Sequence, residues 1–177
     1  MLIYELLKKD HKEVKELFEE IEEALEGEDF DRVEPLFVEA RDKLTAHSKA
    51  EAEIFYQPLK AVAEDNGSEI VWEGEEEHHL IALLLNELSR LNISDESWKA
   101  KFKVLTELVE HHVEEEEGEI FKTAKKYIKD DEAADMCEDM EKLKSTYMEM
   151  VESALEEDLA VFSLPYHVSS EGPFLNR

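Results

Sequence analysis

The chain has little of what most small domains use to turn, staple or anchor themselves. It contains a single cysteine, Cys137, in 177 residues, so an internal disulfide cannot form and a cysteine-ligated zinc or iron–sulfur site is disfavoured. Any metal must be held by histidines and carboxylates. Only 5 glycines and 4 prolines are present, whereas β-sheet proteins of this size usually spend more of both on turns. Positive charge is scarce too. Lys and Arg number 20 against 47 Asp and Glu, a formal net charge of −27, which repels phosphate backbones and anionic lipid headgroups; nucleic acid and membrane are not expected partners. The longest apolar run, Leu80 to Leu85, falls far short of the ~20 residues that cross a bilayer. No basic stretch precedes a hydrophobic segment at Met1-Leu2-Ile3-Tyr4-Glu5, so the expectation is a soluble, cytoplasmic protein.

What the chain does have is helical periodicity. Leu7, Val14, Leu17, Phe18, Ile21 and Leu25 recur at spacings of three and four, one face of a helix from Leu2 to about Glu26 with Gly27 as its C′ residue. A second helix runs from near Asp31 to Asn66-Gly67, bent but not ended by Pro58. Ser68 caps a third, which reaches about Leu91. The fourth opens at Ser94 or Asp95 and fades near Asp130, tolerating Gly118 at about 1 kcal/mol against alanine. A fifth carries Ala133, Met136, Cys137, Met140, Leu143, Tyr147, Met150, Val151 and Leu155 on one side. The expected fold is all-α: an antiparallel up-down-up-down four-helix bundle over 1–130, an additional helix over 131–159 that packs on the bundle or mediates a homodimer, and an irregular tail over 160–177.

Seven histidines, at 11, 47, 78, 79, 111, 112 and 167, raise the question of which face inward. His11 continues the stripe Tyr4, Leu7, Val14, Phe18. From His78 the positions +3, +7 and +10 are Ile81, Leu85 and Leu88, but from His79 they are Ala82, Asn86 and Ser89. His78 therefore points in and His79 out. By the same test His47 shares its face with Ala40, Leu44, Glu51, Ile54 and Phe55. His112 lies with Leu105, Leu108, Val109, Glu116 and Ile120, whereas His111 is turned away. His79, His111 and His167 are read as surface residues, and the acidic run Glu114 to Glu117 as a solvated face except for Glu116.

An internal repeat then emerges. His11-x2-Val14-x3-Phe18-x2-Ile21 matches His78-x2-Ile81-x3-Leu85-x2-Leu88, and His47-x3-Glu51-x3-Phe55-Tyr56 matches His112-x3-Glu116-x3-Ile120-Phe121. The order is the same in both halves, as expected if one helix pair has been used twice. Residues i and i+4 stack one above the other on a helix, so an imidazole and a carboxylate at that spacing can reach one ion. Acids fill 47 of 177 positions, so His-x3-Glu alone arises by chance about a quarter of the time. Two inward copies, two further inward histidines and matching flanks do not. Each buried polar group without a partner costs ~1–3 kcal/mol, and a buried carboxylate more, so four imidazoles and two glutamates lining one core call for a cation. Nitrogen and oxygen donors without thiolate suit iron, manganese or zinc.

These residues resemble the hemerythrin-like, or HHE cation-binding, domain family. The likeness spans about 5–129 and rests on Asp10-His11, His47-x3-Glu51 with Phe55-Tyr56, Glu77-His78, and His112-Val113-Glu114-Glu115-Glu116-Glu117 with Ile120-Phe121. It implies an antiparallel four-helix bundle around a non-haem di-iron centre. His11, His47, His78 and His112 would be its terminal ligands, and Glu51 and Glu116 would bridge two iron ions, with a hydroxide or oxide offsetting the excess positive charge. Oxygen-carrying hemerythrins have His-x3-His on the third helix, but here that second position is Ala82, which leaves more positions open to water, O2, peroxide or NO unless Glu75 fills one. Three readings follow. One is a module that binds or senses O2, NO or iron; another is an enzyme that reduces peroxide, O2 or NO, with Tyr56 or Tyr4 within reach of the metals; the third is a bundle that the metal merely staples.

Overall fold

Two apolar clusters, separated along the bundle axis by a polar layer, organise the molecule. The computed structural model describes residues 1–64 and 66–156, and all regular structure in them is helical. Helix α1 (Ile3–Glu26) is followed by α2 (Phe30–Glu51), which continues through a wide π-helical turn, Ala52–Tyr56, into α3 (Gln57–Val62). After the connection come α4 (Asn66–Leu88) and α5 (Glu96–Glu115); a second wide turn, Glu116–Ile120, leads into α6 (Phe121–Tyr127), and α7 (Asp130–Glu156) follows. With each wide turn counted into its rod, this is the four-helix bundle plus one helix. The tail expected from 160 onward, and His167 with it, lies outside the described residues.

Several boundaries depart from the periodicity reading for local reasons. Gly27 keeps right-handed torsions (φ −81°), and the left-handed position that ends α1 falls on Glu28 (φ 55°). The second rod stops at Val62, short of Asn66, where Ala63 turns extended (ψ 134°). Pro58 sits at the junction of the wide turn with α3, where the hydrogen-bond register is already interrupted, so its missing N–H costs little there. Ser68 lies inside α4 and does not cap it.

The wide turns lie where paired apolar neighbours enter the core. Phe55 and Tyr56 are both fully buried, as are Ile120 and Phe121. Regular α1 buries the neighbours Leu6 and Leu7 as well, so paired burial does not by itself require a wide turn.

One cluster joins Ile3, Tyr4, Leu7, Phe55, Tyr56, Leu59, Ile120 and Phe121 to Ala133, Met136, Cys137 and Met140 of α7. The other holds Val14, Phe18, Ile21, Phe37, Leu85, Trp98, Phe102 and Leu105. α7 lies against α1 and α2 and buries Cys137, whose thiol burial pushes up. Between the clusters, at the same level of all four rods, lie His11, His47 with Glu51, His78, and His112 with Glu116.

Candidate metal centre

Each rod delivers its polar group by simple helix phase. On α1, His11 falls between Leu7 and Val14; on α2, His47 and Glu51 fall between Leu44 and Phe55. The pattern repeats on α4 and α5. All six side chains are buried, Glu51 and Glu116 completely, and three overlapping groups of them place their ligand atoms within 4.8 Å of one another: His11, His47 and Glu116; His47, Glu51 and His78; Glu51, His112 and Glu116.

The four imidazoles present Nε2 to the centre. His11 Nε2 is 3.0 Å from Glu116 Oε2, and His112 Nε2 is 3.9 Å from the same oxygen. His47 Nε2 and His78 Nε2 each lie 3.3 Å from Glu51 Oε2, and the His78 and His112 Nε2 atoms are 2.9 Å apart.

Three rings are held in that orientation by carboxylates behind them. His47 Nδ1 hydrogen-bonds Asp10 Oδ2 at 3.1 Å, His112 Nδ1 bonds Glu77 Oε2 at 2.8 Å, and His11 Nδ1 bonds Glu117 Oε1 at 3.0 Å. These bonds assign the ring proton to Nδ1 and leave Nε2 a lone pair, the arrangement that orients metal-binding histidines and raises their donor strength. His78 is the exception. Its Nδ1 has no partner, and its ring stacks on Tyr56 at 5.4 Å and 11°.

Lone pairs facing carboxylates at about 3 Å repel unless something positive lies between them. Both oxygens of Glu51 and of Glu116, together with His11 Nε2, lack a hydrogen-bond partner, so the layer is short of donors. Burial pushes the carboxyls of Glu51 and Glu116 up to about 7, with the charge of Glu51 adding to the rise at Glu116. Burial, followed by the charges of His112, His47 and His11, holds His78 well below the usual imidazole range. Four Nε2 atoms converging on two buried carboxyl groups that have no hydrogen-bond donor fit a bound cation.

A pH dependence follows. Two carboxyls raised from 4.5 to about 7 in the folded chain stay protonated there after the unfolded chain has released its protons. The metal-free protein should therefore lose stability as pH rises from about 4.5 to about 7 and change little above. A cation that takes the place of those protons should flatten the slope, because neither state then holds protons on these groups over most of the range. Urea melts across this range with and without metal check both behaviours.

The acids behind the rings were not recognisable as partners from spacing. Asp10 and Glu77 each precede an inward histidine, yet each serves the histidine of the neighbouring rod. Glu117, expected to be solvated, is tied to His11 and to Lys8 Nζ at 3.2 Å. Its neighbour Glu114 is exposed, as are His79 and His111. Glu75 turns away to Lys60 at 2.6 Å, and Ala82 is half-buried. Tyr56 adjoins the site through His78, while Tyr4 packs with Phe55 and Phe121 a level below.

The hemerythrin HHE cation-binding domain profile matches residues 2–124. The chain belongs to that family. A hemerythrin HHE cation-binding domain-containing protein of Mycobacterium kansasii superposes with a TM-score of 0.77 at 23% identity, over 92% of this chain and 96% of that one, which establishes the shared fold. A DNA nickase of Nostoc sp. (strain PCC 7120) is 25% identical over 121 residues, 68% of this chain. That stretch spans 33% of the nickase, so the match covers about a third of that relative's length. With the family established, the His and Glu groups of this HHE domain are the residues able to hold its cation.

Proposed function

We propose that the centre holds two iron ions and that the protein binds or senses a small ligand, O2 or NO, or registers iron itself. His11, His47, His78 and His112 serve as terminal ligands, and Glu51 and Glu116 are shared between the ions. The observation that carries this reading is the convergence of four Nε2 atoms on two buried carboxylates whose oxygens lack hydrogen-bond donors. Iron would supply a one-electron redox change and open coordination positions.

The surroundings support a ligand of diatomic size. On the apolar side of the histidines, Val14, Leu44, Ile81, Val109 and Val113 leave a space of only about 10 Å³, near the minimum for a single water. Outside it, a cavity of about 540 Å³ runs between α1 and α5 over Phe18, Val109 and Val113 and ends at His11 and Glu117. The ion pair of Lys8 with Glu117 lies at that end. A net charge of −27 argues against DNA as the partner of this chain, whatever the nickase acts on.

Elemental analysis and the visible spectrum of aerobically purified protein test the reading, with peroxide added afterwards. Two irons per chain and a spectrum that changes once with added ligand are the expected result. Stoichiometric manganese or zinc would replace iron, absence of metal would sink the reading, and sustained consumption of peroxide would favour the enzyme.

Because Glu75 is engaged elsewhere, α4 offers one nitrogen where oxygen carriers have two. The reduced centre should therefore oxidise in air within seconds to minutes. Ala82→His, one turn beyond His78, should slow that oxidation; stopped-flow spectra showing equal rates in the two proteins would show that position 82 is irrelevant.

A further inference from the structure

α7 lies beyond the stretch that the family profile matches, yet it reaches the residues behind the metal centre. Lys144 Nζ pairs with Asp10 Oδ2, the same oxygen that accepts the hydrogen bond of His47 Nδ1. The pair is shielded, with side-chain exposures of 22% for Lys144 and 10% for Asp10. One turn along, Tyr147 Oη donates to Glu53, which stands in the wide turn directly after Glu51, and Lys49 Nζ lies 5.5 Å from the Tyr147 ring centre. α7 thus grips the ligand-bearing segment of α2 on both sides. Beside Lys144 and Met148 a cavity of about 170 Å³ remains between α7 and its neighbours, while Leu143 and Tyr147 pack against the apolar cluster. The other half of the molecule differs. Glu77, the counterpart of Asp10, gives one oxygen to His112 and turns the other toward exposed His111 at 3.5 Å.

We propose that Lys144 is a positioning residue that competes with His47 for one oxygen of Asp10, so that the seating of α7 and positive charge at the metal centre oppose each other. The inference rests on the metal reading of the site. A cation on His47 Nε2 draws electron density from the ring, makes Nδ1–H a stronger donor and strengthens its bond to Asp10. Less of that oxygen is then left for the lysine. The cation also repels the ammonium group directly, so both effects loosen the same ion pair. Coupling is reciprocal: a helix loosened by metal must, when seated, weaken metal binding by the same factor. α7 becomes an element whose docking reports whether the centre is loaded.

The test uses the full chain stripped by chelator and reloaded with Co(II), whose visible absorption reports binding, with amide hydrogen exchange followed in α7. Loading should speed exchange around Lys144 about tenfold, the lower end of the usual effect of altering a carboxylate behind a ligating histidine. Lys144→Gln should bind Co(II) about tenfold more tightly and remove the response of α7 to loading, and Lys144→Arg should restore both. A merely structural role has the opposite sign, because an unsupported Asp10 would weaken metal binding. Equal or lower affinity in Lys144→Gln, or α7 exchange in the wild type that ignores loading, overturns the competition. Uptake of two equivalents with an unresponsive α7 removes the coupling alone, whereas failure of the wild type to take up Co(II) removes the metal reading and the coupling with it.

Discussion

Replacing either His47 or His112 by alanine should strip the chain of most of its metal, whereas His79→Ala and His111→Ala should leave it loaded. Each inward imidazole supplies one of four converging Nε2 atoms, and on the proposed assignment its loss would remove a ligand from a site with few in reserve. The damage extends past the ligand. Without His112, the buried carboxylate of Glu77 loses its hydrogen-bond donor, and without His47, Asp10 keeps only Lys144. A hydrogen bond to a charged group is worth about 1.5–3 kcal/mol, so the loss of one should also lower the melting temperature of both variants. His79 and His111 are exposed, and their removal should change stability by less than about 0.5 kcal/mol. Elemental analysis after desalting decides the matter. Full metal in both His47→Ala and His112→Ala would refute the ligand assignment, and loss from His111→Ala would mean that α5 presents the other member of its histidine pair.

Glu51→Met and Glu116→Met should do something less intuitive: raise the melting temperature of the metal-free protein while abolishing the stabilisation that metal provides. Each glutamate is fully buried with both oxygens lacking a hydrogen-bond donor, so it burdens the empty fold. An apolar side chain of similar volume removes that burden, and such exchanges of buried charge are worth about 1–4 kcal/mol. For a chain of this size that corresponds to roughly 2–4 °C per kcal/mol. In the wild type, metal at a hundred times its dissociation constant should add about 2.7 kcal/mol, and the variants should show little of it. Melting curves recorded with chelator and with metal separate the two effects. A metal-free Glu116→Met that melts below the metal-free wild type would show that the glutamate is satisfied by some partner of its own, and would weaken the case for a cation.

How much of this was legible beforehand varies by residue. The inward phase of His11, His47, His78 and His112 was readable because a helix face is a local property, set by residues three and four apart. The same test correctly turned His79 and His111 outward. Asp10 and Glu77 were visible only as neighbours of a histidine, since the ring each one supports sits on another rod and the pairing exists only after packing. Glu117 was hidden within an acidic run that looked uniform. Lys144 left no trace at all: one lysine on a charged helix has no periodicity that distinguishes it, and its significance comes from a contact with a residue 134 positions away. The wide turns left no distinctive mark: the adjacent apolar pairs Phe55-Tyr56 and Ile120-Phe121 fall at their ends, but regular α1 buries Leu6 and Leu7 side by side as well.

Those two turns also bear on how the chain came to be. Each begins within one residue of the glutamate in its His-x3-Glu pair, and the two halves otherwise repeat the same pattern. A wide turn is what an α-helix becomes when a single residue is inserted without shifting everything beyond it. Had the doubling come first, the same insertion would have been needed twice at nearly the same offset. If one ancestral helix pair gained its extra residue once and was then copied, a single event suffices, and such a pair, carrying half of the candidate ligand residues, would have needed a second copy of itself to complete the cluster.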